Sequence, residues 1–460
     1  MKLKPAQVVA AVVIAAALAL LVFPPADMPV EAARGAALCI AVMALLATAS
    51  VPEYVAAMIF FAVAVLFEVA PSQVVLSGFT SSGFWLVFGG LMIAAGVRHT
   101  GLAVRLAQMI TARIANSYPS LVIGVSVLGL ALGFLMPSTL SRVLIMMPIV
   151  LAIADRAGFA PGTNGRAGMV LASSFITMIP CFTILPAAVP AMVLSGASET
   201  LYGYTPTYGS WLLLHFPILG LLKAAVIAYA SIKLFPDTVG AAEMPPDAPA
   251  KSIGGQERTM AFLLAAALAL WATDFLHHIS PAWIALGVGT ICILPFVGIV
   301  APKTFNEQVS LAPLVYVAGM LGIGAVIAGT GVGDYVAVHA LEVLQLQPGD
   351  HARTFASITG LSTLLAMLTT QPGVAAVLTP LAGTLAEAAD LPIPAVLMMT
   401  VVGYTTVVLP YQTPPLVIAM QLGQVPMSAG NKLCLTVLAV TLLVLLPLDY
   451  LWWVALGWVG

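Results

Sequence analysis

Of 460 residues, 61% are hydrophobic and only 7% charged, with a mean hydropathy of +1.08 and a net charge of −2. Soluble domains carry about 25% charged residues, so these values exclude a water-soluble fold and indicate an integral membrane protein embedded in a lipid bilayer. No basic patch is available to bind nucleic acid.

The chain starts Met1-Lys2-Leu3-Lys4 and runs apolar to Phe23, the outline of a signal peptide. The length of that run, and Pro24-Pro25 in place of a small-x-small cleavage pattern, favour a retained first span. Crossing about 30 Å of hydrocarbon takes about 20 helical residues. Runs of that kind recur near 6–23, 36–51, 54–70, 83–97, 168–194, 210–234, 259–276, 282–300, 311–329, 394–420 and 433–457. No alternation of apolar and polar positions competes with them, so helices and not a barrel do the spanning.

Two further apolar blocks, 119–154 and 354–389, are too long for one span and too short for two comfortable ones. Each is interrupted by small polar residues: Met136-Pro137-Ser138-Thr139-Leu140-Ser141-Arg142 in the first and Leu368-Thr369-Thr370-Gln371-Pro372-Gly373 in the second. Both read as re-entrant hairpins, because non-helical backbone survives at membrane depth only where protein or a watery cavity satisfies it. Two ordinary short spans are the other reading. The expected fold is therefore all-α and polytopic, with about 11 transmembrane helices and two re-entrant hairpins.

Charge placement tests this count independently. With Lys2 and Lys4 in the cytoplasm, Arg98, Arg105, Arg113, Arg156, Arg166, Lys233, Lys251, Arg258, Lys303 and Lys432 fall on the same side, and only Arg34 and Arg353 outside. A cytoplasmic amino end and an extracytoplasmic carboxyl end follow, in the cytoplasmic (inner) membrane. The segment 236–258 is rich in proline and charge, and marks a cytoplasmic linker between a first half, 1–235, and a second half, 259–460. Cys39, Cys181, Cys292 and Cys434 sit in apolar sequence with no metal-ligand spacing and read as small buried hydrophobes.

The halves align at an offset of 230 residues: Gly89 with Gly319, Thr100-Gly101 with Thr330-Gly331, Pro180 with Pro410 and Thr183 with Thr413. At an offset of 232, Ser138 meets Thr370 and Pro148 meets Pro380. Each unit holds five crossings and a hairpin, so the second copy inserts upside down and the tips approach the midplane from opposite faces. Polar breaks in corresponding positions of two such halves are where a transporter binds its solute.

Ser138 and Thr139 stand where an N-cap belongs, as do Thr370 and Gln371 ahead of Pro372, and a helix N-terminus attracts anions. Ile179-Pro180-Cys181-Phe182-Thr183-Ile184-Leu185-Pro186 and Leu409-Pro410-Tyr411-Gln412-Thr413-Pro414-Pro415 are dense in proline and predict unwound helices with free carbonyls, which suit a cation such as Na+. Arg142, one turn beyond Ser138 in an apolar helix, either grips the substrate or supplies the fixed positive charge that a bound cation would otherwise give.

Hairpin tip, proline-broken helix, linker, second tip and a final Gln412-Thr413-Pro414-Pro415 resemble, in order and spacing, the divalent anion/sodium symporter family of dicarboxylate, citrate and sulfate carriers. That family's tips bear Ser-Asn-Thr ten residues before a proline; here Ser138-Thr139-Leu140 precedes Pro148 and Thr370-Gln371-Pro372 precedes Pro380. The resemblance implies an elevator-type carrier working as a homodimer, in which the hairpins and broken helices move against a scaffold of spans one to four and seven to nine. It implies a small anionic substrate and Na+ as coupling ion; the residues read above offer Ser138, Thr139, Ser141, Arg142, Thr370, Gln371 and Thr413 to the anion, and Ser138, Thr183, Thr370, Gln412 and Thr413 to the cation. No cofactor and no metal beyond Na+ is expected.

The missing tip asparagines and the presence of Arg142 keep a second reading open, a sodium-independent exchanger or a proton-coupled carrier. An anion channel is less favoured, since neither charge rings nor a filter sequence is visible. An enzyme is excluded by the absence of HExxH, GxSxG and acidic clusters within spans.

Overall fold

The computed structural model describes residues 5–111, 117–136, 138–239 and 253–459. Pro137, the linker core 240–252 with Lys251, and Lys2, Lys4 and Arg113 lie outside the described residues. No strand occurs among those described, and eight helical segments are long and apolar enough to cross a membrane.

In the first half, α1 (Pro5–Val22), α2 (Val30–Ala47), α3 (Glu53–Leu66) and α4 (Ser82–Thr100) precede a short arm, α5 (Leu102–Thr111). A helical pair follows, α6 (Tyr118–Leu135) and α7 (Thr139–Arg156), then α8 (Asn164–Met178), α9 (Val189–Tyr202) and the long α10 (Tyr208–Leu234). The second half runs α11 (Gly255–Ala272), α12 (Pro281–Ile293), α13 (Ala312–Gly329) and the arm α14 (Val332–Leu344). It continues with α15 (His351–Leu368), α16 (Gln371–Ala389), α17 (Ile393–Tyr404), α18 (Pro414–Gly423) and α19 (Met427–Ala455).

Two glycines that align at the 230-residue offset share one backbone conformation. Gly101 and Gly331 both adopt φ +77°, a left-handed turn that glycine makes at no steric cost, and each throws the chain from a buried helix into a short arm. π turns interrupt α10 at Phe216–Leu222 and α19 at Thr441–Leu445. The apolar side chains of α1 are largely exposed, as a lipid-facing helix requires.

The halves interlock by exchanging partners. α4 packs on α12 and α13 packs on α3, so each half supplies the seat for the other's glycine-rich helix. Gly89 sits against the backbone of Ala285, where a Cβ would come within 2.4 Å of a carbonyl carbon. Gly319 meets Ala57 in the matching place, with a Cβ 2.5 Å from the alanine methyl. Lipid tails are as apolar as leucine, so helices in a bilayer associate through such close backbone approach.

The same exchange governs the centre. α6 packs on α8 and α15 on α17 within each half, while α7 reaches across to α18 and α16 to α9. All four cysteines are free and buried, as their apolar surroundings suggest.

Candidate functional site

At each turn two of the described residues are extended. Met136 (φ −135°, ψ 117°) ends α6, and Ser138 (φ −119°, ψ 109°) caps α7, its Oγ accepting from the Ser141 N–H at 3.4 Å. Thr369 ends α15 in extended conformation and Thr370 caps α16, its Oγ1 accepting from the Gly373 N–H at 3.3 Å. Pro372 falls in the first turn of α16, where its missing donor costs nothing. The remaining N–H groups of both first turns have no partner within their own helices.

The two proline-dense segments are unwound, as their sequence predicts. α8 gives way to two 3-10 turns, Pro180–Thr183 and Leu185–Ala187, before α9 begins. α17 stops at Tyr404, and the chain stays irregular through Leu409 and a 3-10 turn at Pro410–Gln412.

Both caps and the second break line one cavity of about 390 Å³. Ser138, Thr139, Thr370, Gln371, Gln412 and Thr413 face it together, and its size suits a small solute. Two residues that the sequence did not single out also line it: Glu53 at the start of α3 and Tyr316 on α13. The Tyr316 hydroxyl lies 2.9 Å from the Thr370 hydroxyl, tying the second cap to the first turns of α13. Their sequence signal was weak, a single carboxylate and a single phenol at the ends of apolar runs.

Three of the expected site residues stand elsewhere. Arg142 is completely buried behind the first cap and does not line the cavity. Its Nε donates to the Thr177 carbonyl at 3.2 Å. Nη2 donates to the same carbonyl at 2.9 Å and to the Thr139 hydroxyl at 3.2 Å, and Nη1 to the carbonyls of Met136 and, at 2.7 Å, Ala187. All five guanidinium N–H groups are thereby engaged, and these bonds tie the residues around the first cap to the broken helix. Ser141 turns away from the cavity and accepts from Arg98 Nη1 of α4 at 3.0 Å. Thr183 is fully buried, and its hydroxyl donates to its own Pro180 carbonyl at 2.6 Å.

Gln412 lines the cavity, but its amide is engaged in holding the second break. Oε1 accepts from the N–H groups of Val408 at 2.7 Å and Leu409 at 2.8 Å, and Nε2 donates to the Ala366 carbonyl of α15 at 2.9 Å. The local reason is geometric, because unwinding strands these backbone groups in an apolar interior and a side-chain amide three residues on can serve both polarities. Gln412→Leu orphans three backbone groups at about 1–3 kcal/mol each. It is expected to lower the thermal midpoint in detergent and to loosen the second half of the cavity, as read by protease cleavage near Leu409.

Lys223 of α10 is buried and donates to the Thr405 carbonyl at the end of α17 at 2.8 Å. The first limb of each broken helix thus terminates on a basic side chain: Arg142 for α8, Lys223 for α17. Positive charge at a helix C-terminus is stabilising, and more so where water is excluded.

The sequence as a whole, compared with known proteins, matches the family described as the sodium:sulfate symporter transmembrane region over residues 3–459. A "membrane protein" of Cupriavidus necator is 24% identical over 277 residues, 58% of this chain and 54% of that protein. The L-tartrate/succinate antiporter of Escherichia coli K12 is 25% identical over 209 residues, 43% of this chain and 42% of the antiporter. The chain thus spans about half the length of the curated relatives it matches. Among solved structures, the YdaH transporter of Alcanivorax borkumensis superposes with a TM-score of 0.55 at 16% identity, over 84% of this chain and 88% of that one, a likeness of fold.

Proposed function

The chain belongs to the sodium:sulfate symporter family of membrane transporters, as its tip and Gln-Thr-Pro-Pro motifs led us to expect, and from that membership we propose that it exchanges small dianions across the inner membrane. Transport, not catalysis, is what its relatives do. The substrate class is a C4-dicarboxylate, citrate, sulfate or sulfonate.

One observation carries this reading: two capped helix N-termini, 232 residues apart in sequence, open into a single cavity. The free N–H groups of α7 and α16 would receive the two ends of a dianion, with the hydroxyls of Ser138, Thr139, Thr370 and Thr413 and the amide of Gln371 completing the contacts.

The family name and the resemblance suggest Na+ symport, but the local geometry favours sodium-independent exchange. The oxygens that would ligate a cation beside the first tip, from Met136, Thr177, Ala187 and Thr139, already surround the Arg142 guanidinium. Gln412 Oε1 and the Thr405 carbonyl are engaged in the same way in the second half. A fixed charge needs no ion gradient, and a carrier so equipped trades one anion for another. The Escherichia coli relative, named an L-tartrate/succinate antiporter, agrees with this.

Alternating access would come from sliding the hairpins and broken helices against a dimeric scaffold of spans one to four and seven to nine, with the amino end in the cytoplasm and the carboxyl end outside. The depth of the first tip supports re-entrance. Arg142, one turn into α7, bonds Thr177 and Ala187, and those residues lie midway along the crossing from Asn164 to Tyr202.

Counterflow of labelled succinate, citrate, sulfate and a small sulfonate into preloaded liposomes tests the proposal. Equal rates in sodium chloride and choline chloride are expected. Uptake that requires Na+ would restore symport, and failure of every anion would overturn the substrate class.

A further inference from the structure

Glu53 is the only acidic residue lining the cavity, and no lysine or arginine lines it among the described residues. It opens α3 directly after Pro52. It also lines an adjoining cavity of about 490 Å³, which shares Thr370, Gln412 and Pro414 with the first. Glu53 therefore stands where the two spaces meet, beside the second cap.

Among the described residues its carboxylate has no hydrogen-bonding or ion-pair partner. It lines the same cavity as Tyr316, and Tyr316 in turn holds the Thr370 hydroxyl. The polar groups around it are phenols and not histidines or amines: Tyr54 follows it in α3, Tyr316 faces it from α13, and Tyr411 lies in the turn before α18. Glu31 and Arg34 of α2 lie against the far end of α3, beside Val65 and Glu68.

Glu53 is exposed to the water of this space, and its ionised carboxylate repels a dianion in a cavity lined by no opposing cation among the described residues; protonation removes that charge. We propose that Glu53 is the proton-operated switch of this cavity: a dianion occupies it while the Glu53 carboxyl is protonated, and the ionised carboxylate excludes it. The inference rests on the anion-carrier reading and adds to it the control of binding. The proton comes from water on the open side of the cavity, forms an O–H bond on Glu53 and returns to water when the anion leaves.

The sign follows from linkage. If the protonated form is the one that binds, apparent affinity is full at low pH and falls about tenfold per pH unit above the titration of Glu53 in the empty protein. Reciprocally, a bound anion raises the affinity of Glu53 for its proton.

The test uses the full-length protein in liposomes, with counterflow of succinate and of sulfate, whose charge is constant, from about pH 5.5 to about pH 8. For whichever anion is exchanged, the wild-type KM is expected to climb at the alkaline end, and that of Glu53→Gln to stay low throughout. A Gln variant with the wild-type profile, or with a raised KM at every pH, overturns the proposal. Should that variant fail to fold, proton uptake by wild type in weakly buffered detergent decides. Uptake of one proton per bound sulfate or succinate supports the switch, and binding without uptake overturns it. Wild type that exchanges no anion at any pH overturns the carrier reading and this inference with it, whereas exchange with matched profiles overturns this inference alone.

Discussion

Arg142→Ala is expected to abolish anion exchange and to destabilise the protein severely. The substitution removes every partner of the Met136, Thr177 and Ala187 carbonyls that the guanidinium supplies, in a place where Arg142 itself has no solvent exposure. Each buried carbonyl left unmade costs about 1–3 kcal/mol. Against this stands the relief of desolvating the guanidinium, so a net loss of roughly 3–5 kcal/mol is expected, a large share of the roughly 5–15 kcal/mol that holds a domain together. Arg142→Lys keeps the charge, but three donors on a point ammonium cannot replace a planar fork with five. That variant is expected to fold and still lose most exchange. Thermal unfolding in detergent together with counterflow separates the two effects, and normal transport by either variant would remove Arg142 from the machinery.

Gly89→Leu ranks second in expected effect. The α4–α12 contact leaves no room for even a Cβ, since the nearest atoms are the backbone carbon and oxygen of Ala285 and the nitrogen of Leu286. A side chain that meets a flexible neighbour can push it aside, but one that meets backbone must part the helices. Overpacking of this kind costs about 3 kcal/mol or more. Loss of folded protein on size-exclusion chromatography is the expected readout. Gly319→Leu should do less harm, because the nearest obstacle is the Ala57 methyl with its Cα at 3.1 Å, and Ala57→Gly should partly rescue it. Equal tolerance at both positions would mean that the exchanged helix seats contribute little.

Much of the architecture was legible because the bilayer makes apolar length a direct signal. The helices, the capped turns at Ser138 and Thr370, and the unwound stretches after Met178 and Tyr404 all follow from local chemistry: an oxygen-bearing cap, a proline without a donor, a run of apolar residues. The backbone twins Gly101 and Gly331 were visible as an aligned dipeptide. What sequence could not convey was the direction of side chains once the segments crossed. Ser141 and Arg142 are neighbours of a true cavity residue, Thr139, yet helical rotation turns Ser141 toward α4 and Arg142 into the protein behind the tip. Glu53 and Tyr316 stand 317 and 54 residues before Thr370, the cap that they flank, and no local pattern connects such partners. Gln412 looked like a free ligand because its backbone clients appear only after the helix has unwound.

The swapped seating of α4 and α13 also orders events during synthesis. Gly89 leaves the ribosome roughly 200 residues ahead of Ala285, an interval of about 10–40 s at ordinary translation rates. For that time the glycine face of α4 has no permanent neighbour, while α3 waits likewise for α13. The nascent first half is therefore an unfinished body whose bare helical grooves are open to lipid or to insertion chaperones until the second half arrives to close them.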